Sequence, residues 1–177
     1  MPLKRWEDRL VTRHKKGRKK IMTDDIRQDY ILRISQANPS AMVVIVYDIF
    51  GQYSKELLQA DPLSDDFKDL IWNCRCCIRE LIESLDMKYE LAHNLYDIYR
   101  FVDRQLIMAG VRRETVGLDR CFKMIDSLRD AYAEVAKSDT SAPVMKNTDV
   151  VYAGMTYGRN DINTDSVAAG SNRGFLA

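Results

Sequence analysis

The chain has 177 residues, 46% of them hydrophobic and 30% charged, a balance that excludes wholesale disorder and suits one domain with a buried core. Its net charge of +1 conceals a division. Residues 1–20 carry nine basic and two acidic side chains (net +7), residues 21–136 carry 14 and 20 (net −6), and residues 137–177 carry four of each. The longest apolar run, Ala41 to Phe50, is broken by Asp48 and falls short of the ~20 residues a membrane span needs, so no membrane insertion is expected. The basic N-terminus has no apolar stretch of the secretory kind, so export by that route is not expected either.

Residues 1–23 read as a basic N-terminal arm, densest at His14-Lys15-Lys16-Gly17-Arg18-Lys19-Lys20. Such a run neutralises phosphates without reading sequence. It lacks the interleaved aromatics of a stacking platform, Trp6 standing alone, so a solvated extension is the favoured reading and nucleic acid is not the expected partner. Attraction to the acidic body is a third possibility.

Asp24 to Ser35 has a sparse apolar pattern (Ile26, Tyr30, Ile31, Ile34) that predicts a short extra helix against the main body. Asn38-Pro39 then opens the first strong helix, Asn as N-cap and Pro at the first helical position. Its apolar arc, Met42, Ile45, Ile49 and Tyr53 beside Val43, Val46, Tyr47, Phe50 and Leu57, is wide enough to be buried on two sides. The break at Ala60-Asp61-Pro62-Leu63 leads to Ser64, the expected cap of the next helix. That helix places Phe67, Leu70, Ile71, Cys74, Ile78, Leu81, Ile82 and Leu85 on one face. After Asp86-Met87 a third helix turns Leu91, Leu95, Ile98, Val102, Leu106 and Ala109 inward, with Gly110 expected to end it. Thr115 is the expected cap of a fourth, which presents Leu118, Cys121, Phe122, Ile125, Leu128, Tyr132 and Val135.

No alternating strand pattern competes with this periodicity. Helices of similar length joined by short links predict an all-α fold, an antiparallel up-down four-helix bundle, with the helical domain spanning residues 24–136. From 137 to 177 the chain turns rich in Gly, Ser, Thr and Asn, as expected of a mobile C-terminal tail. Val150-Val151-Tyr152 and Phe175-Leu176 are apolar patches within it, inert or able to dock in a groove of the bundle.

Chemistry is sparse. Of two histidines, His14 lies in the arm and His93 on the polar side of the third helix. There is no Gly-rich phosphate loop, paired-histidine zinc motif or nucleophile elbow. Cys74, Cys76 and Cys77 are too close on one helix to form a disulfide framework, which suits a reducing compartment. They lack a fourth zinc ligand even with Cys121, and cysteine also serves as a small apolar core residue. No catalytic residue, metal or cofactor is therefore expected, and the chain does not read as an enzyme. A surplus of aromatics remains: Tyr30, Tyr47, Tyr53, Tyr89, Tyr96, Tyr99, Phe101 and Tyr132. Either they are core residues with hydroxyls at the rim, or some line a groove for a partner's amphipathic helix.

Four ordered segments resemble the flagellin export chaperones (FliS). Arg33-Ile34-Ser35-Gln36-Ala37-Asn38-Pro39-Ser40, followed by Val44-Ile45-Val46-Tyr47-Asp48, is similar to the family's opening. Glu80-Leu81-Ile82-Glu83-Ser84-Leu85-Asp86 resembles its Glu-Leu-x-x-Ser-Leu-Asp helix ending. Leu95, Ile98-Tyr99-Arg100-Phe101-Val102 and Leu106 are similar to its third helix, and Leu128-Arg129-Asp130-Ala131-Tyr132 to its Leu-Arg-Asp-Ala-Trp. The resemblance spans residues 30–136. Gly110, Tyr132 and Arg100 depart from the family's Asn, Trp and acidic residue, and Tyr30 lies one place from its N-terminal tyrosine.

This resemblance implies a cytoplasmic, non-enzymatic chaperone that holds flagellin before its export by the flagellar secretion apparatus. In the family, flagellin's C-terminal segment wraps the bundle, and the N-terminal region can cover part of the same surface. Carried onto matching positions, it nominates Tyr30, Ile34, Tyr47, Leu95, Tyr99, Val102 and Leu106, of which Tyr99 and Val102 are expected on the partner side. The alternatives are a helical adaptor or regulatory bundle with another partner, and nucleic-acid binding through the arm.

Overall fold

The computed structural model describes residues 24–145, in which five helices and no strands occur. They are α1 (Asp24–Gln36), α2 (Pro39–Gln59), α3 (Asp65–Glu83), α4 (Glu90–Arg112) and α5 (Leu118–Ser138). The basic arm and the apolar patches at 150–152 and 175–176 lie outside the described residues.

Local chemistry starts two helices where the sequence predicts. The Asn38 side chain accepts from the Ala41 N–H at 2.8 Å, with Pro39 in the first turn of α2. Ser64 Oγ accepts from the Phe67 N–H at 3.1 Å, and Asp65 and Asp66 complement the dipole at the start of α3. Such a cap contributes about 1 kcal/mol.

Three boundaries differ from expectation. Gly110 does not end α4, which runs to Arg112 and closes on Arg113 in the left-handed region (φ 54°). Gly110 lies within the helix instead, beside α3, where a Cβ would meet the Ile71 methyl at 3.5 Å, an ordinary contact. Thr115 does not cap α5. The N-cap is Gly117 at φ 82°, where glycine avoids the strain a side chain would bring. And α5 extends two residues past 136, to Ser138.

The centre of the molecule is α2, which packs against α3 and α5 and also carries α1. A second pairing joins α3 to α4, and a lighter contact between α4 and α5 closes the circuit. This explains the composition of α2: two apolar faces are needed because it has neighbours on more than one side, and tertiary packing holds Val and Ile in a helix they favour only weakly. The core is continuous from Tyr30 to Ile125, with Phe50 and Phe122 edge to face at 5.5 Å. Leu57, Phe67, Ile78, Val102, Leu106 and Ile125 are fully enclosed, each contributing about 1.5–3 kcal/mol of burial. Leu91 and Val135, expected inward, are exposed because each lies at the end of its helix, where the partner no longer covers it.

Beyond α5 the chain does not leave the body at once. Asn38 Nδ2 donates to the Asp139 carbonyl at 2.8 Å, the Asp139 carboxylate accepts from the Ser40 N–H at 3.3 Å, and the Val144 N–H donates to the Ala37 carbonyl at 2.9 Å. Met145 packs against the core. Residues 139–145 thus bind the joint between α1 and α2.

Candidate functional site

The seven residues nominated by the family resemblance are all buried. Tyr30 and Ile34 come from α1, Tyr47 from α2, and Leu95, Tyr99, Val102 and Leu106 from α4, and the seven belong to one core cluster. Tyr99 and Val102, expected to face a partner, are 1% and 0% exposed. On the helical wheel of α4 they share a stripe with Leu95 and Leu106, and that stripe is the one the core takes. Periodicity identifies the stripe; only packing tells whether it is covered.

Within the cluster sits a polar contact. The hydroxyls of Tyr47 and Tyr99 share a short hydrogen bond between α2 and α4, and the Tyr132 ring of α5 lies 5.6 Å from that of Tyr47. Burial pushes both phenols up, and the shared proton raises Tyr47 further while restraining Tyr99. Three helices therefore meet at one tyrosine.

A charged contact secures α1. Asp48 of α2, its side chain mostly buried, accepts from Arg33 of α1 at 2.5 Å and from Arg129 of α5 at 2.9 Å. The Arg33 guanidinium also lies over the Tyr30 ring, 5.3 Å from its centre. The sequence carries the signal for Asp48, an acid inside an otherwise apolar run, without naming its partners. Arg129 stays protonated more firmly than usual because of its bonds to Asp48 and Asp130.

The cysteines are free, and burial drives the Cys74 and Cys77 thiols well above their ordinary range, so both are neutral core fillers. Among the described residues no group of His, Cys, Asp or Glu could hold a metal ion, and His93 is exposed. No described helix is long and apolar enough to cross a membrane.

Sequence periodicity missed an outward set. Trp72 on α3 and Ile107, Met108 and Val111 on α4 are large apolar side chains left exposed, beside Phe101, which the sequence does single out as a surplus aromatic. Their signal was present: they fall off the stripes that supply the core, among arginines and acids.

What the described residues bring together is covered apolar surface. A search of curated proteins returns no match. The family model described as flagellar protein FliS matches residues 22–139, from just before α1 to just beyond α5. That match includes every helix described and well over half of the chain, and so the chain belongs to the FliS family of flagellar export chaperones.

Proposed function

We propose that this protein binds the C-terminal segment of flagellin in the cytoplasm, prevents its premature polymerisation and delivers it to the flagellar export apparatus. The match over residues 22–139 carries this reading. The scaffold we infer for it is an antiparallel four-helix bundle of α2 to α5 with α1 as a short extra helix. The pairing of Arg75 with Asp103 and of Ile71 with Gly110 supports this, since advance along α3 matches retreat along α4.

Flagellin's terminal segments are amphipathic and unfolded as monomers, and a chaperone that covers their apolar faces denies those faces to other monomers. Folding on binding costs several kcal/mol in ordering, which keeps the complex reversible. Tyr30 and Ile34, buried on α1, occupy apolar surface of the kind such a segment would cover, and Tyr47, Leu95, Tyr99, Val102 and Leu106 support it from within. On this reading flagellin gains access as α1 yields, and the Arg33–Asp48 pair sets how readily it does so.

Fluorescence anisotropy with a labelled flagellin C-terminal segment tests both parts. Saturable binding to the full chain is expected, and its absence would refute the function. Arg33→Glu places like charges side by side and is expected to tighten binding roughly severalfold by loosening α1. Unchanged affinity would remove α1 from the binding mechanism and leave the function standing.

A further inference from the structure

The outer side of the α3–α4 seam has a composition at odds with its surroundings. On α3, Lys68, Trp72, Arg75 and Arg79 follow one another at helical spacings of four, three and four, and on α4 Arg100, Arg104, Ile107 and Val111 do the same. Arg75 bonds Asp103 across the seam, Nε to Oδ1 at 2.7 Å, and so holds the two stripes side by side. Trp72 is 46% exposed, Ile107 37% and Val111 74%.

The charges of this seam are incompletely answered. Lys68 pairs with Asp65, and Arg75 with Asp103. Arg100 and Arg104 make no ion pair among the described residues, and neither do Glu83 on α3 and Asp97 on α4. Arg79 lies over the Trp72 ring, 4.9 Å from its centre, and among the described residues its one hydrogen bond is to the Cys76 sulfur, at 3.8 Å. Its Nε is buried without a hydrogen-bond partner among the described residues. A guanidinium with an unmet donor, stacked on a half-exposed tryptophan, is costly as free surface and valuable in an interface, where Trp and Arg dominate binding energy. These cationic groups stand on a body whose residues 21–136 are net −6, so they are a local exception.

We propose that the α3–α4 seam is a second docking surface, which receives an amphipathic helix whose apolar stripe is flanked by carboxylates. The apolar stripe would lie over Trp72, Ile107 and Val111, and the carboxylates would answer Arg79, Arg100 and Arg104. This surface is separate from the one covered by α1, which packs on α2.

The probe is a synthetic amphipathic peptide of about five helical turns, leucine-striped and glutamate-flanked, with a lysine-flanked twin as control. Trp6→Phe in the full chain leaves Trp72 as its single tryptophan and the reporter of binding. The acidic peptide is expected to change Trp72 emission saturably, roughly tenfold more tightly than its twin, and less tightly as salt rises. Arg100→Glu with Arg104→Glu, both exposed positions, should abolish that preference while the circular dichroism melt and binding of the flagellin C-terminal segment stay unchanged.

No binding, or equal binding of both peptides, overturns the proposal. So does self-association that Trp72→Ala abolishes, which makes a second copy the occupant, or a matching Trp72 response to single-stranded DNA. Loss of flagellin binding in the double arginine variant assigns the seam to flagellin and overturns a second surface. Should the parent chain fail to bind flagellin, the function proposed above falls while the peptide comparison still reads the seam.

Discussion

Tyr47 shows how one side chain can serve both core and specificity. Its ring fills space between α2 and α5 against Tyr132, and its hydroxyl finds the one partner that makes burial tolerable, Tyr99 of α4. Replacing either hydroxyl leaves the other buried and unsatisfied. Tyr47→Phe is therefore expected to cost about 1–3 kcal/mol in urea unfolding, and the double change with Tyr99→Phe distinctly less than the sum of the two single changes. Additive losses would show that the hydroxyls do not act as a pair. Asp48 follows the same logic with charge: a mostly buried carboxylate is tolerable because arginines from two other helices meet it.

At the level of elements, Gly110 illustrates a residue whose role depends on its neighbours. Its backbone is helical and a Cβ would meet the Ile71 methyl at 3.5 Å, an ordinary contact. Gly110→Ala should accordingly raise stability by about 0.5–1 kcal/mol in thermal or urea unfolding, because alanine loses less backbone freedom in a helix. A loss would mean that α3 and α4 cannot accept even a methyl. The joint between α1 and α2 is held from outside by residues 139–145. Truncation after Ser138 removes those bonds, and hydrogen exchange is expected to speed up in α1 more than in α3 or α4. Uniform exchange across the helices would show that the segment does not hold the joint.

Across the whole molecule the buried phenols set the alkaline limit of stability. Tyr30, Tyr47, Tyr53, Tyr99 and Tyr132 all titrate above 10.0, chiefly because burial disfavours the phenolate, and Tyr99 is pushed up to about 12. A raised folded pKa favours the protonated form in the native state. Below pH 10 both states hold their phenol protons and stability is at its full value; above it the unfolded chain releases protons first, so stability falls as pH rises from 10 toward 12 and beyond. Urea midpoints measured across that range should decline, and Tyr47→Phe should flatten the decline. On α3, Trp72 is exposed where the other large apolar groups of that helix are largely covered.

Much of the fold was legible in the sequence because its signals are local. The caps at Asn38 and Ser64 need only a side chain three residues from its target, and the stripes of α3 and α5 follow from the 3.6-residue turn. The family pattern was legible for the same reason, as ordered segments on successive helices. What sequence could not decide is which apolar surface is covered and by what. Tyr99 and Val102 look alike in a wheel whether they face a partner or the interior, and only the packing of α4 against its neighbours encloses them. Arg33 and Arg129 lie 15 and 81 residues from Asp48, so their convergence is not written in any local spacing. Gly110 reads as a helix end, whereas α4 runs on to Arg112 and closes on Arg113. Composition and period determined the helices and their inner faces; the tertiary structure decided the contacts between them, because those depend on distances that only the folded chain brings within reach.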